Sequence, residues 1–268
     1  MGKRVFCLLA CLLLIACCSA GACAAEPGGM ATTLSAVKPE MIQPDGYEQD
    51  FYKSFPRPRY RGVESRLIMH EVKDALEVKQ WCPVFGNAAL DKAVSASLKG
   101  RLSGFLEKDK AFAGSGNGEE GPSRSWWKGT YRLFSSGPGC VTVHFSSYVC
   151  HSYNAHGATL HKTLVFSEKR GRLLGLGDLF ADANMAVRLM SQWATKKLSA
   201  ALGESFFSNG VEPKPENFTR LIPVRDGLVM VFPEYQAAPF GMGAQVVKMP
   251  LNALEKAGPK PEVWGARH

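Results

Sequence analysis

Four histidines stand near one another in the middle of the chain, and imidazole is the side chain that most often ligates a metal ion. They are His144, His151, His156 and His161, and Cys150 directly precedes the second of them. A metal held by such a group could activate water for hydrolysis. A thiol beside an imidazole could act as a nucleophile.

Strand geometry argues against a shared site for these histidines. His144 and His151 are an odd number of residues apart, so on one strand they point to opposite faces of the sheet unless a bulge intervenes. Nothing in the sequence orients Cys150 toward His151. We therefore expect partly exposed strand and loop histidines without a metal. An envelope hydrolase that uses the His144 to His161 cluster is the alternative.

Motifs of other enzyme classes are incomplete. His70-Glu71 begins the HExxH metalloprotease pattern, but Asp74 stands where the second histidine is required. Gly175 and Gly177 lack the third glycine of a dinucleotide fingerprint, and no GxSxG elbow or P-loop sequence occurs. We predict no catalytic residues, no metal and no cofactor, so the protein is not expected to be an enzyme.

The start of the chain predicts export. Lys3 and Arg4 precede an uncharged run from Val5 to Ala16, which is typical of a signal peptide and too short to span a bilayer. We assign residues 1–16 to a lipoprotein-type signal peptide because the four residues that end at Cys17 resemble a lipobox.

Acylation of Cys17 would anchor the protein to a membrane, so we expect a periplasmic or outer-surface lipoprotein. Ala22-Cys23-Ala24 offers a competing site, with cleavage after residue 24 and a soluble product. Five of the eight cysteines lie in or near this segment. Whether Cys82, Cys140 and Cys150 include a disulfide stays open, since they allow at most one internal bridge.

The net charge of the chain restricts the classes of partner that the protein is expected to bind. Loss of Lys3 and Arg4 with residues 1–16, which contain no acid, lowers the formal charge from +8 to +6. A dispersed surplus of this size is typical of a solvated surface, so nucleic-acid binding is not expected. Attraction to anionic wall polymers or lipid headgroups is more compatible with an exported protein.

Composition also divides the chain into segments. Residues 17–60 are rich in glycine, proline and alanine, which predicts a flexible tether. Residues 61–257 are predicted to form one domain, with a strand and helix part at about 61–110 and a second part at about 124–257. Residues 258–268 are expected to be a tail.

Two helices and several strands are predicted within this domain. Asn87 is a candidate N-cap for the first helix, and the second covers about Asn184 to Leu202 and stops at Gly203. Apolar residues spaced four, four, four and three apart mark the first helix: Leu90, Val94, Leu98, Leu102 and Phe105. Alternating strands surround both helices, which predicts an α+β fold of antiparallel sheet packed with two main helices. Alternating βαβ units are not expected.

Aromatic residues near two predicted turns could bind a glycan or a protein. The first turn contains Tyr153, Asn154, His156 and Gly157, and the second contains Tyr235, Pro239 and Phe240. Trp126, Trp127 and Tyr148 could extend such a platform. Filling the core is the alternative role for strand aromatics.

The same turns belong to segments with a recognisable pattern. These are the Tyr153 to Gly157 turn, the segment Leu174 to Phe180, the run DGLVMVFPEYQAAPF at 226–240 with Gly243, and VKMPL at 247–251. Together they resemble the RsiV-type extracytoplasmic domain, a family shared by lysozyme-sensing anti-sigma factors and the N-terminal region of a peptidoglycan deacetylase. The resemblance covers about residues 63–256.

The resemblance implies an α+β fold outside the cytoplasm and a binding or sensing role without catalysis. Its implied ligand is a lysozyme-like cell-wall hydrolase or peptidoglycan itself. We expect the two turns to bind it through Tyr153, Asn154, His156, Gly157, Tyr235, Pro239 and Phe240. Lysozyme is commonly basic, so the positive charge of this chain gives no attraction toward it. A structural lipoprotein with a protein partner is a further alternative.

Overall fold

The computed structural model of the protein describes residues 62–72, 75–113 and 124–265. The predicted signal peptide, the lipidation site Cys17 and the tether up to residue 60 lie outside the described residues. Within the described part, no helix is both long enough and apolar enough to cross a membrane.

The chain folds into nine strands and four α-helices over the described ranges. In chain order they are β1 (Glu64–Val72), β2 (Leu76–Val84), α1 (Ala88–Ala113), β3 (Ser125–Gly137), β4 (Cys140–Cys150), β5 (Ala158–Ser167), β6 (Arg172–Leu173), α2 (Leu176–Leu179), α3 (Ala183–Leu202), β7 (Leu221–Val224), β8 (Gly227–Phe232), β9 (Gln245–Pro250) and α4 (Pro261–Trp264). Short 3₁₀ helices cover 203–205, 208–211, 215–218, 240–242 and 251–257. The predicted α+β class is confirmed.

Six strands form a large sheet in the order β1-β2-β3-β4-β5-β6. Its neighbours are antiparallel except β2 and β3, which run parallel with Leu76 opposite Ser125. Parallel neighbours need a crossover connection, and α1 supplies it. The expectation of antiparallel pairing is therefore wrong at this one pair, while βαβ units do not alternate along the described chain.

Helix α1 begins where the sequence predicts. The Asn87 side-chain oxygen accepts a hydrogen bond from the Leu90 amide at 3.0 Å, which satisfies one of the free N–H groups of the first turn. All five predicted stripe residues are buried. They pack on one face of the large sheet, against side chains such as Val143 and Phe145 of β4 and Trp127 of β3.

A smaller sheet, β7-β8-β9, covers part of the opposite face of the large sheet. Alternation along β8 divides its side chains between two cores. Val229 and Val231 pack with Phe134 of β3, whereas Leu228, Met230 and Phe232 pack with α3. The layers are thus α1, large sheet, small sheet and α3, and Gly203 ends α3 with a positive φ of 56°.

Residues 258–265 differ from the predicted tail. Val263 and Trp264 are buried, and the Trp264 indole nitrogen donates to the carbonyl oxygens of Val224 and Gly227, both at 3.1 Å. These two carbonyls lie at the turn between β7 and β8. The C-terminal segment therefore closes the core of the small sheet.

Candidate functional site

The four central histidines do not form one cluster. His144 and His161 lie on the face of the large sheet that meets the small sheet, with His144 Nε2 3.2 Å from His161 Nδ1. His151 packs on the α1 side, stacked on Phe105 at 4.4 Å between ring centroids. The prediction that His144 and His151 point to opposite faces is confirmed.

Three of these histidines are buried, so the expectation of partial exposure holds only for His156. His144 Nδ1 also lies 3.0 Å from the Thr163 hydroxyl. Burial, followed by the charges of His161 and three arginines, holds the pKa of His144 well below its ordinary value. Among the described residues, no group of three histidine, cysteine, aspartate or glutamate side chains has the spacing to hold a metal ion. Cys82, Cys140 and Cys150 are buried, and no disulfide joins any two of them.

Serine, histidine and aspartate side chains meet at the end of α1, but not in the order of a catalytic triad. The Ser125 hydroxyl donates to Asp109 Oδ1, and His151 Nδ1 lies 3.4 Å from the same oxygen. Ser125 Oγ also accepts from the Ser152 amide at 2.8 Å. A nucleophilic serine must instead face the imidazole. The contacts join α1 to β3 and to the loop after β4.

The two predicted turns meet at an exposed surface. The ring of His156 lies 4.4 Å from that of Phe240, and the ring of Tyr235 lies 5.6 Å from Phe240. Tyr235 has 61% of its surface exposed. We call these three residues the aromatic patch. Its members come from turns far apart in the sequence, and the docking of the small sheet on the large sheet brings them together.

Hydrogen bonds anchor the turn that carries Tyr235. The Glu234 carboxylate accepts from the Thr159 amide of β5 at 3.1 Å. The Gln236 side-chain amide donates to the carbonyls of Gly210 and Asn217 at 2.8 and 3.0 Å. Tyr235 itself has a φ of 65°, a left-handed conformation that is costly for a residue with a side chain. Such strain persists only where the surroundings impose it, and it is common at functional sites.

A second aromatic pair continues the surface along the large sheet. Trp126 and Tyr148 lie 4.8 Å apart between ring centroids, and the Lys128 ammonium lies 5.5 Å from the centre of the Trp126 ring. Gly157 is buried against Tyr148, since an added Cβ would lie only 2.7 Å from Tyr148 Cζ. Gly157 therefore connects the aromatic patch to this pair by packing. It has no side chain with which to contact a ligand.

The remaining predicted residues have other contacts. Tyr153 stacks on His151 at 4.9 Å. Asn154 is exposed, and its amide donates to the His151 carbonyl at 2.9 Å. Pro239 is the N-cap residue directly before the 3₁₀ helix that contains Phe240. Trp127 is fully buried and donates to Gln80 Oε1 at 2.8 Å, so it belongs to the core.

Two arginines that contact β5 were not identified from the sequence. Arg101 of α1 donates to the Ser147 hydroxyl at 3.3 Å and to the Leu160 carbonyl at 3.2 Å. Its guanidinium lies 5.1 Å from the centre of the Trp127 ring. Burial, then the charge of Arg220, lowers the pKa of Arg101 to about 10. A sequence signal exists: Arg101 stands three residues after Leu98, on the apolar face of its helix.

Arg220 precedes β7 and reaches β5 from the other side. Its Nε donates to the His161 carbonyl at 3.3 Å, and its Nη1 donates to the Gln236 side-chain oxygen at 3.4 Å. Burial lowers the pKa of Arg220 as well. No local pattern in the sequence marks this residue, because its contacts depend on how the two sheets dock.

Comparison with known proteins gives a family match and one curated relative. Residues 177–252 match the family model described as a protein of unknown function (DUF3298). The peptidoglycan-N-acetylmuramic acid deacetylase PdaC of Bacillus subtilis (strain 168) is 25% identical over 201 residues, which are 74% of this chain and 42% of that protein. This chain thus spans less than half the length of its relative.

Two solved structures have a similar fold. A DUF3298 family protein from Pseudomonas aeruginosa PAO1 is 16% identical with a TM-score of 0.55, covering 80% of this chain and 99% of that one. A member of the same family from Bacteroides fragilis NCTC 9343 is 13% identical with a TM-score of 0.54, covering 75% and 96%. At these identities the likeness concerns the fold alone. The chain therefore carries a DUF3298 match at residues 177–252 and shares the fold of two solved members of that family.

Proposed function

We propose that this protein is an extracytoplasmic binding module of the bacterial cell envelope, and that its aromatic patch binds the glycan of peptidoglycan. The contact of His156, Phe240 and Tyr235 on one exposed surface is the observation that carries the proposal. Similarity to a protein named as a peptidoglycan deacetylase supports the choice of ligand. The RsiV-type resemblance of the two turns supports an extracytoplasmic location.

The patch has the chemistry that a sugar ring requires. The faces of aromatic rings carry partial negative charge, and the axial C–H groups of a pyranose can stack on them. Tyrosine and phenylalanine lose little conformational entropy when they bind, because few of their bonds rotate. Anchoring by Glu234 and Gln236 lowers the entropic cost further, since the turn is held in place before the ligand arrives.

Binding without catalysis is part of the proposal, and neither a metal nor another cofactor is needed for it. It is supported by the Ser125 hydroxyl, which donates to Asp109 and not to the imidazole of His151. It is also supported by the burial of His144 and His161 beneath the small sheet. The hydrolase alternative would require these groups to reach a substrate.

Lipidation of Cys17 is the proposed route to the membrane, with a signal peptide at residues 1–16. A lysozyme-like hydrolase is the second candidate ligand. Exposure of Tyr235 favours it, because tyrosine is enriched among the residues that dominate protein interfaces. The formal charge of +6 that remains after loss of residues 1–16 offers no attraction toward a basic hydrolase.

Calorimetry with the purified protein tests both ligands in one buffer. We expect saturable binding of a peptide-free tetrasaccharide of alternating N-acetylglucosamine and N-acetylmuramic acid, and at least about tenfold weaker binding by Phe240→Ala, which is about 1.4 kcal/mol. Trp193→Ala is the matched control, because Trp193 is a partly exposed aromatic residue on α3. If lysozyme binds and the glycan does not, the ligand is the protein partner and not the glycan. Binding of neither would contradict the proposal.

A further inference from the structure

We infer that the glycan bound at the aromatic patch is acidic, and that Arg101 and Arg220 bind its carboxylate at the edge of β5. This inference rests on the proposed function, because it names the chemical class of the ligand of that same surface. It adds two residues that neither turn contains.

The two arginines converge on neighbouring residues of one strand. Arg101 reaches the Leu160 carbonyl from α1, and Arg220 reaches the His161 carbonyl from the start of β7, at 3.2 and 3.3 Å. Over residues 158–164, β5 is paired with β4 on one side only, since the backbone contacts on its other side begin with the Leu174 amide, which donates to the Val165 carbonyl at 2.7 Å. The His161 carbonyl that Arg220 binds faces this open edge, whereas the Leu160 carbonyl that Arg101 binds faces β4, so the two arginines approach neighbouring residues of β5 from different sides.

Neither arginine has an acidic partner in the part of the chain that the structure describes. Their hydrogen-bond acceptors there are all neutral: the hydroxyls of Ser147 and Thr219, the carbonyls of Leu160 and His161, and the side-chain oxygen of Gln236. Arg101 Nη1 is enclosed by protein and has no acceptor among the described residues. A charged donor without an acceptor is costly to bury.

The charges of the two arginines also repel each other. Burial is the first cause of the lowered pKa of Arg101, and the charge of Arg220 is the second, so Arg220 disfavours the charged form of Arg101. An anion between them would offset this repulsion. Guanidinium groups bind carboxylates with paired, charge-assisted hydrogen bonds.

This edge is continuous with the aromatic patch. Gln236, which accepts from Arg220 Nη1, directly follows Tyr235. Glu234, on the other side of Tyr235, is bound by the amide of Thr159, the residue before Leu160. The Glu234 carboxylate forms no ion pair with either arginine in the described chain, so it leaves both guanidinium groups to an incoming anion. Leu160 itself is 40% exposed.

A ligand that spans both features carries a carboxylate on or next to a sugar ring. The acid can belong to the sugar itself, as in N-acetylmuramic acid, or to a short peptide attached to the sugar. These sources share one chemistry and are separated by three probes. They are the neutral tetrasaccharide of N-acetylglucosamine, the peptide-free tetrasaccharide with N-acetylmuramic acid, and the latter with its stem peptide.

Calorimetry of the purified protein with these probes tests the inference. The wild-type protein is expected to bind an acidic tetrasaccharide at least about tenfold more tightly than the neutral one. Arg101→Lys and Arg220→Gln are expected to abolish this preference while the neutral probe still binds, and circular dichroism checks independently that each variant is folded. Arg188→Gln, a change at an exposed arginine of α3, is the control and keeps the preference.

The outcomes separate this inference from the function on which it rests. Tightening by the peptide-free acidic probe assigns the carboxylate to the sugar, and tightening only by the peptide-bearing probe assigns it to the peptide. Equal binding of all three probes, or a preference that survives both variants, overturns the inference and leaves the glycan function intact. Loss of neutral-probe binding in folded variants also overturns it, because the arginines would then only position the turn. Failure of the wild-type protein to bind any probe overturns both.

Discussion

The ring of Phe240 packs on the ring of His156 at 4.4 Å, and this contact joins the turn after β4 to the turn after β8. The Glu234 hydrogen bond to Thr159 fixes the same junction a few residues away. The surface thus exists only when the small sheet is docked on the large one. Ligand binding at the patch is expected to stabilise that docking, because a ligand stabilises the state that it binds.

Two substitutions of Tyr235 can separate the effect of its ring on binding from the effect of its backbone strain on stability. Tyr235→Gly and Tyr235→Ala both remove the ring contact with Phe240, but only glycine adopts a φ of 65° without strain. We expect the glycine variant to exceed the alanine variant by about 1 kcal/mol in free energy of unfolding, measured by urea denaturation. Both variants should lose glycan binding equally. An alanine variant as stable as the glycine variant would contradict the assignment of strain.

The close packing around Gly157 predicts that a larger residue at this position destabilises the protein. In Gly157→Ala, the new Cβ would lie 2.7 Å from both Tyr148 Cζ and the Val149 carbonyl oxygen. The backbone atom cannot move away cheaply, so we expect a loss of about 1 to 3 kcal/mol in unfolding free energy. Glycan affinity should also fall, because His156 is the adjacent residue.

Gly100 provides the control for that experiment. It lies within α1, and an added Cβ there would meet no atom within 4 Å. Gly100→Ala is expected to raise the free energy of unfolding by about 0.5 to 1 kcal/mol, since alanine favours the helix more than glycine does. Destabilisation of similar size by both substitutions would contradict the packing argument for Gly157.

Local sequence patterns were sufficient for the helices and the turns. Asn87, the apolar stripe of α1 and the stop at Gly203 each act within a few residues, so their effect can be recognised without the rest of the fold. The parallel pairing of β2 with β3 could not be recognised in this way. Strand order depends on long-range packing, and a helix between two strands is compatible with either direction.

The burial of charged and polar groups could not be predicted from the sequence either. His144 and His161 lie on strands whose alternation predicts a shared face, but only the docking of the small sheet buries that face. Arg220 has contacts with β5 and Gln236 that no local pattern contains. Arg101 is the exception, because its place on the apolar face of α1 was visible. The candidate site could therefore be predicted as two turns, but not as one surface with two arginines.

Burial of His144 predicts that the protein becomes less stable as the pH falls. Its pKa is well below 6.5 in the folded protein, through burial first and then through His161 and three arginines, Arg101, Arg132 and Arg220. Below about pH 6.5 the unfolded chain therefore binds more protons than the folded one, so the free energy of unfolding falls as the pH falls. Each such histidine contributes up to about 1.4 kcal/mol per pH unit.

The test is a series of urea denaturations between pH 5 and pH 7.5 on the wild-type protein and on His144→Gln. His151 and His70, whose pKa values are also lowered by burial, act in the same direction in both proteins. We expect the variant to have a shallower slope, because glutamine takes up no proton. An unchanged slope would show that His144 is protonated in the folded state.

The contacts of Trp264 predict that the last described residues stabilise the small sheet. Its ring is buried against Phe180, and its indole nitrogen donates to the carbonyls of Val224 and Gly227. Trp264→Ala is expected to lower the free energy of unfolding by about 3 to 5 kcal/mol. Trp264→Phe keeps most of the buried area but leaves two carbonyls without their donor, so a smaller loss of about 1 to 3 kcal/mol is expected. Urea denaturation measures both, and a phenylalanine variant as stable as the wild type would show that the ring alone supplies the stability.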